Sequence, residues 1–293
     1  MAGACHGDIW HEWLRTRRSG GDGRCRQAVQ EALVPIRDRV LAHAALAEGD
    51  LLLDVGCGDG LIALGALERC PSCRAILSDI SQPLLDEARR RAEALGVLAR
   101  CQFVRASAED LAPIADSSVD VVTTRSVLIY VARKQDAFRA FARVLKPGGR
   151  LSIFEPINAF AHPEPPDRFW GYDVSPVAEI AAKLKAHYRA LRPTNPDPML
   201  DFHAWDLVRF AAQAGFDDIR LHVEAGRRPH TPRRWETFLR RAPNPQAPTL
   251  EEAMRAVLAP AEQAAFAAHL RPLVEAGEGA RRLAVAYLWA RRA

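Results

Sequence analysis

No window of the 293-residue chain approaches about eighteen uninterrupted apolar residues, so no membrane-spanning helix is expected. The N-terminal MAGACHGDIWHEW has no apolar core of a secretory leader. The six cysteines are therefore read as reduced thiols of a cytoplasmic protein. Cys70-Pro-Ser-Cys73 lacks the second Cys pair or nearby His that zinc requires, and no metal is expected. A clustered basic stripe is also missing. The pairs Arg17–Arg18, Arg227–Arg228, Arg233–Arg234 and Arg281–Arg282 are scattered and read as solvated arginines on helix faces. With a formal charge of only +4, no nucleic-acid partner is expected. Internal repeats are absent.

What is present is a change of rhythm. Residues 8–48 carry apolar positions at helical spacing, with Pro35 expected to divide or kink the helix and RSGGDG expected to form a mobile loop. From Gly49 onward, short apolar runs alternate with helical patterns: LLLDVG, RAILSDI, CQFVRAS, VDVVTTRSV and RLSIFEP read as strands. Ser81 is a plausible helix N-cap and Gly96 a C-terminal stop. Repeated βα units imply an α/β fold with a parallel sheet covered by helices on both faces. Pro-rich and aromatic residues interrupt the rhythm at about 157–201, and a second interruption covers about 226–280, where Thr249 and Glu252 have capping-box spacing. A strand-like segment, RRLAVAYLWARR, ends the chain.

Ligands of open parallel sheets bind at the carboxyl ends of the strands. The first strand delivers Asp54, Gly56, Cys57, Gly58 and Gly60 there, and the second ends at Asp79. Three explanations compete for the glycine turn. The dinucleotide fingerprint GxGxxG fits poorly, because Leu61 stands where its third glycine should be. A phosphate loop needs a Gly-Lys-Ser/Thr end, and no Lys follows. The third explanation is a plain turn with no ligand. An acid one βα unit later, suited to a ribose diol, argues against that third explanation.

These segments together resemble the class I S-adenosylmethionine-dependent methyltransferases. LLLDVGCGDG is similar to the family's first motif, AILSDIS to its second, and VRASAEDLAPIADSSVDVVTTRSVLIYV and RVLKPGGRLSIFEP to its later regions. The likeness covers about residues 45–156 and LVRFAAQAGFDDIRLHV. It implies a Rossmann-like, doubly wound, mostly parallel seven-stranded sheet over residues 45–293. A helical segment at 1–44 would act as a lid, and the two interruptions as helical cap insertions. The resemblance further implies that Gly56 and Gly58 border the methionine part of S-adenosyl-L-methionine, with Cys57 and Gly60 in the same turn and Asp54 ordering it. Asp79 would take the ribose diol, Ile80 the adenine face, Ala108 the ring through its N–H, and Glu109 the exocyclic amine. Ser107 stands where the family commonly has Asp. Arg125 would meet the cofactor carboxylate, an anionic substrate or a loop acid.

A sulfonium methyl needs chiefly alignment, and a base only where the nucleophile must lose a proton. Glu155 and His162 are the expected catalytic residues by topology, with His203 and Tyr172 as further candidates. Phe160, Phe169, Trp170, Tyr172 and Trp235 suit either a pocket for an apolar or aromatic small molecule or the ordinary core of the inserts. The expected function is methyl transfer to O, N or C of a metabolite. The alternatives are an RNA or protein methyltransferase and a non-catalytic regulatory protein that binds the same cofactor.

Overall fold

The computed structural model describes residues 8–192 and 197–293. Residues 1–7, with Cys5, lie outside the described residues. The chain opens with α1 (Ile9–Glu12), a π turn and α2 (Gly23–Ala44). Then follow β1 (Leu51–Val55), α3 (Leu61–Arg69), β2 (Arg74–Asp79), α4 (Gln82–Ala94), β3 (Cys101–Arg105), β4 (Val119–Arg125), α5 (Lys134–Val144) and β5 (Leu145–Pro156). After these come β6 (Arg168–Phe169), β7 (Tyr172–Asp173), α6 (Ala178–Ala190), α7 (Ala204–Gln213) and β8 (Phe216–Pro229). The last elements are α8 (Trp235–Leu239), α9 (Leu250–Val257), α10 (Pro260–Ala276) and β9 (Ala280–Arg292). None of the described helices is long and apolar enough to cross a membrane.

Seven strands form one sheet in the order β3-β2-β1-β4-β5-β9-β8. β1 through β5 are parallel, and β9 runs antiparallel to β5. The order reverses between β1 and β4, which is the switch point where open α/β sheets bind ligands. Leu52, Leu53 and Val55 of β1 are all buried, as a strand covered on both faces requires. Lys146–Gly149 lie within β5. The pairing with β4 slips there, from Leu145↔Val119 to Arg150↔Val121, so the segment bulges without ending the strand.

The chain divides into two compact units. One holds residues 32–159, 198–224 and 284–293 and contains most of the sheet. The other consists of the described parts of Met1–Glu31, Phe160–Asp197 and Ala225–Leu283. The N-terminal segment and both insertions thus supply a single second unit. Residues 32–44 belong with the sheet, because Val40, Leu41 and Ala44 are buried in its core cluster and the Ser152 hydroxyl donates to the Val40 carbonyl at 2.8 Å.

Three local expectations change. α2 runs unbroken through Pro35, its C-terminal half anchored by that packing despite the missing N–H. The RSGGDG loop is packed: Gly20 has φ +64, and a Cβ there would lie 2.3 Å from the Thr237 carbonyl oxygen. Cys70 and Cys73 are joined in a disulfide, so of the six cysteines only Cys25, Cys57 and Cys101 are free thiols among the described residues. A two-residue spacing at the α3–β2 turn brings those sulfurs together whatever the chain's compartment.

The caps are as the sequence implies. The Ser81 hydroxyl accepts from the Leu84 N–H, Gly96 follows α4 with φ +68, and Thr249 and Glu252 cap each other.

Candidate active site at the carboxyl ends of the first strands

The turn after β1 is tied to β2 by its own backbone. The Cys57 N–H donates to the Ser78 carbonyl at 2.9 Å, and the Gly58 N–H to an Asp79 carboxylate oxygen at 2.9 Å. The other Asp79 oxygen accepts from the Ser81 N–H at 2.9 Å. Asp79 is buried and aimed by these two bonds. Beside it Ile80 is 46% exposed, a large apolar side chain standing free at a strand end. Gly56 has φ +64, and a Cβ on it would sit 2.3 Å from a Val127 methyl. The glycine therefore lets the loop after β4 close against the turn.

Asp54 lies beneath the turn and is 1% exposed. One of its oxygens accepts from the Thr123 hydroxyl at 2.9 Å, the other from the Ala63 N–H at 3.2 Å in the first turn of α3. Burial pushes its carboxyl up to about 7 against those two donors. The Cys57 thiol is held well above its ordinary range, first by burial and then by Asp54, so it is an inert packing group.

Glu155 ends β5 and is fully buried. One oxygen accepts from the N–H groups of Val127 and Leu128, at 2.8 and 2.9 Å, and the other from Ile129 at 3.3 Å. Burial raises its carboxyl to about 7, opposed by the same three N–H groups. The geometry is that of a clamp on the loop after β4. Arg125, the last residue of β4, leads into that loop, and its guanidinium has no carboxylate at ion-pair distance among the described residues. Asp59, Asp54 and Glu155 surround it more remotely, and burial lowers its pKa.

Ser107, Ala108 and Glu109 follow β3. The Ser107 hydroxyl accepts from the Glu109 N–H at 3.2 Å, Ala108 is buried, and Glu109 accepts from the Arg133 N–H at 2.9 Å. His162 lies in the second unit and is exposed; desolvation of its ring and then Arg192 lower its pKa. His203 is an exposed helix cap in the sheet unit. Phe169, Tyr172 and Trp235 pack in the second unit's own core with Phe238 and Phe266, so their aromatic signal belongs to insert core. Sequence reasoning missed Thr123 and Val127. The hydroxyl of Thr123 inside the apolar strand VDVVTTR was the available signal for the first, whereas Val127 carried none.

The glycine turn and Asp79 thus stand at the switch point of a Rossmann-like sheet. A family model described as a methyltransferase domain matches residues 53–153. Over that segment the chain is similar to class I S-adenosylmethionine-dependent methyltransferases. It is 36% identical over 161 residues to a ubiquinone/menaquinone biosynthesis C-methyltransferase UbiE of Cereibacter sphaeroides, covering 53% of this chain and 62% of that one. It is 34% identical over 146 residues to the tRNA 5-carboxymethoxyuridine methyltransferase of Escherichia coli K12, covering 50% of this chain and 54% of that one. The matches thus span little more than half of each relative's length. Among solved structures, the YcgJ protein of Bacillus subtilis shares the fold with a TM-score of 0.54 at 17% identity, covering 87% of this chain and 97% of that one. The [4+2]-cyclase SpnF does so with a TM-score of 0.52 at 24% identity, covering 92% and 85%.

Two predictions arise here. Gly56→Ala forces a Cβ into Val127 and an L residue into the left-handed region, costing about 1–2 kcal/mol before any relaxation of Val127. Calorimetry is expected to show a loss of S-adenosylmethionine affinity of about tenfold or more. Adding Val127→Ala should restore part of it, since the collision goes and the backbone strain stays.

The second concerns pH. The native pKa of Asp54 is raised above its ordinary 3.8, so the native state holds the proton more tightly than the unfolded chain. Its contribution to stability is present below about pH 4 and is lost as pH rises toward 7. Asp54→Asn cannot ionise and should flatten the fall of the melting midpoint between those values. An unchanged slope would show that the fall arises elsewhere.

Proposed function

We propose that this protein transfers a methyl group from S-adenosyl-L-methionine to O, N or C of a small-molecule metabolite. The carrying observation is the Asp79 carboxylate, oriented by the Gly58 and Ser81 N–H groups beside the exposed Ile80 at the switch point. The residues fit the cofactor: Asp79 would hold its ribose diol and Ile80 its adenine. The Gly56–Gly58 backbone would border its methionine part, and Arg125 its carboxylate. Bound there, the cofactor supplies an electrophilic sulfonium methyl.

The chain's own residues then chiefly position. Asp54 holds the start of α3 against β4, and Glu155 holds the loop that follows Arg125 and carries Val127. We assign Glu155 to this clamp, because both its oxygens accept backbone N–H groups. A base is required only for an acceptor that is protonated at the reacting atom, and His162 is kept for that role. Ser107 shapes the turn after β3, Ala108 supports adenine through its N–H, and Glu109 braces the start of α5.

A cytoplasmic location belongs to the same reading. The free thiols Cys25, Cys57 and Cys101 accord with it, and the Cys70–Cys73 pair points the other way. The test is a labelled-methyl screen of metabolite extracts, with total tRNA in parallel because one relative acts on tRNA. Labelled small molecules, lost with Asp79→Ala, support the reading. Label in tRNA alone would replace it with RNA methylation. Tight cofactor binding with no transfer to any acceptor would leave a binding protein or a chemistry other than transfer on this fold.

A further inference from the structure

The arginine pairs that look scattered along the sequence converge in the second unit. The Arg233 N–H donates to the Val274 carbonyl at 3.1 Å, the His230 N–H to Gly279 at 2.8 Å, and the Ala280 N–H to Gly171 at 3.2 Å. These bonds tie the segment around residues 228–233 to the segment around 274–281. The Arg241 Nε donates to the Arg18 carbonyl at 3.0 Å, which brings in the N-terminal turn. Arg233 and Arg281 thereby lie on tied segments, and Arg241 is close enough to both, and to Arg18, for their charges to act on it. Tyr172, stacked on His230 with ring centroids 4.4 Å apart, forms the wall.

The electrostatics are those of cations facing cations. Burial, then Arg233, Arg281 and Arg18, bring the Arg241 guanidinium down to about 10. Burial, then Arg228 and Arg233, lower Arg281. His230 is lowered by burial and also by Arg281, Arg233 and Arg241. Among the described residues, no carboxylate stands at ion-pair distance from Arg233, Arg241 or Arg281.

This is not for want of acids in the unit. Arg17 pairs with Glu252, Arg168 with Asp173, Arg255 with Glu251, and Arg271 with Glu275. Several arginines of the unit are thus paired with acids, whereas among the described residues Arg233, Arg241 and Arg281 have no such pair. Like charges held together cost stability, and an anion that lies among them offsets the cost.

We propose that the Arg233–Arg241–Arg281 cluster binds the phosphate or diphosphate group of a small-molecule ligand. Guanidinium forks bond oxyanions in a bidentate manner, and three or more of them match a group with several oxygens and more than one charge better than a single carboxylate. The site stands on this unit alone. Only the step from bound ligand to methyl acceptor rests on the methyltransferase reading.

The experiment is calorimetric titration of the whole chain with pyrophosphate, without S-adenosylmethionine, on wild type and on the Arg233→Gln/Arg281→Gln double variant. Arg241 is left in place because its Nε also holds the Arg18 carbonyl. Wild type is expected to bind pyrophosphate, and the double variant to bind it about tenfold or more weakly, with S-adenosylmethionine affinity unchanged. The double variant without ligand is expected to melt higher than wild type, since it relieves repulsion; arginines with a merely structural role would make it melt lower. No binding of millimolar pyrophosphate, or equal binding by both proteins, overturns the proposal. A single-stranded RNA oligonucleotide that binds more tightly than pyrophosphate, and is lost in the double variant, overturns the small-molecule assignment. Failure of wild type to bind S-adenosylmethionine would sink the cofactor reading and leave the phosphate result standing.

Discussion

Glu155→Ala is expected to lower the stability of the chain by about 3 kcal/mol or more, because it strips the carboxylate acceptor from three backbone N–H groups, two of them buried, at about 1–3 kcal/mol each. Chemical denaturation measures this directly. The more telling variant is Glu155→Gln, which keeps the volume. Its single carbonyl oxygen cannot serve all three N–H groups, and its amide turns an N–H toward one of them. The loop from Ser126 to Tyr130 then loses its anchor, and with it the fixed place of Arg125 and of Val127 against Gly56. S-adenosylmethionine affinity should fall by about tenfold or more together with stability. A general base would behave otherwise: Gln would spare binding and stability and remove turnover alone. That pattern would overturn the clamp assignment.

Asp79→Ala should weaken S-adenosylmethionine binding by about a hundredfold or more. Hydrogen bonds to a charged acceptor contribute about 1.5–3 kcal/mol each, and a diol makes two. The substitution also leaves the Gly58 and Ser81 N–H groups without their acceptor, so the glycine turn loosens as the ribose site disappears. Asp79→Asn separates the two effects. It retains the shape and one of the two acceptors, so the turn should loosen less than in Asp79→Ala while affinity still drops. Calorimetry on both variants checks this, and wild-type affinity in either would show that Asp79 does not face the cofactor.

Much of the sheet unit was legible because its signals are local. The run LLLDV, the glycines after it and Asp79 lie within one βα unit, and the turn chemistry acts between near neighbours. Ser81, Gly96 and the Thr249–Glu252 box could be placed for the same reason. Glu155 could be placed at a strand end but its job could not be read, since its partners lie 26 to 28 residues away. Whether a buried carboxylate takes protons or holds a loop depends on which donors surround it.

The sequence by itself determined the parallel sheet and the likeness to methyltransferase domains, because periodicity and turn residues act over a few positions. Only the tertiary structure decided that Met1–Glu31 and the two insertions contribute to one unit, that the insert aromatics are largely its core, and that Cys70 and Cys73 are paired. The same holds for Arg18 and Arg241, more than two hundred residues apart, which meet within that unit. A charge takes its meaning from its neighbours in space. A solvated arginine and an anion-binding arginine are the same letter until packing gathers several of them and leaves the acids elsewhere.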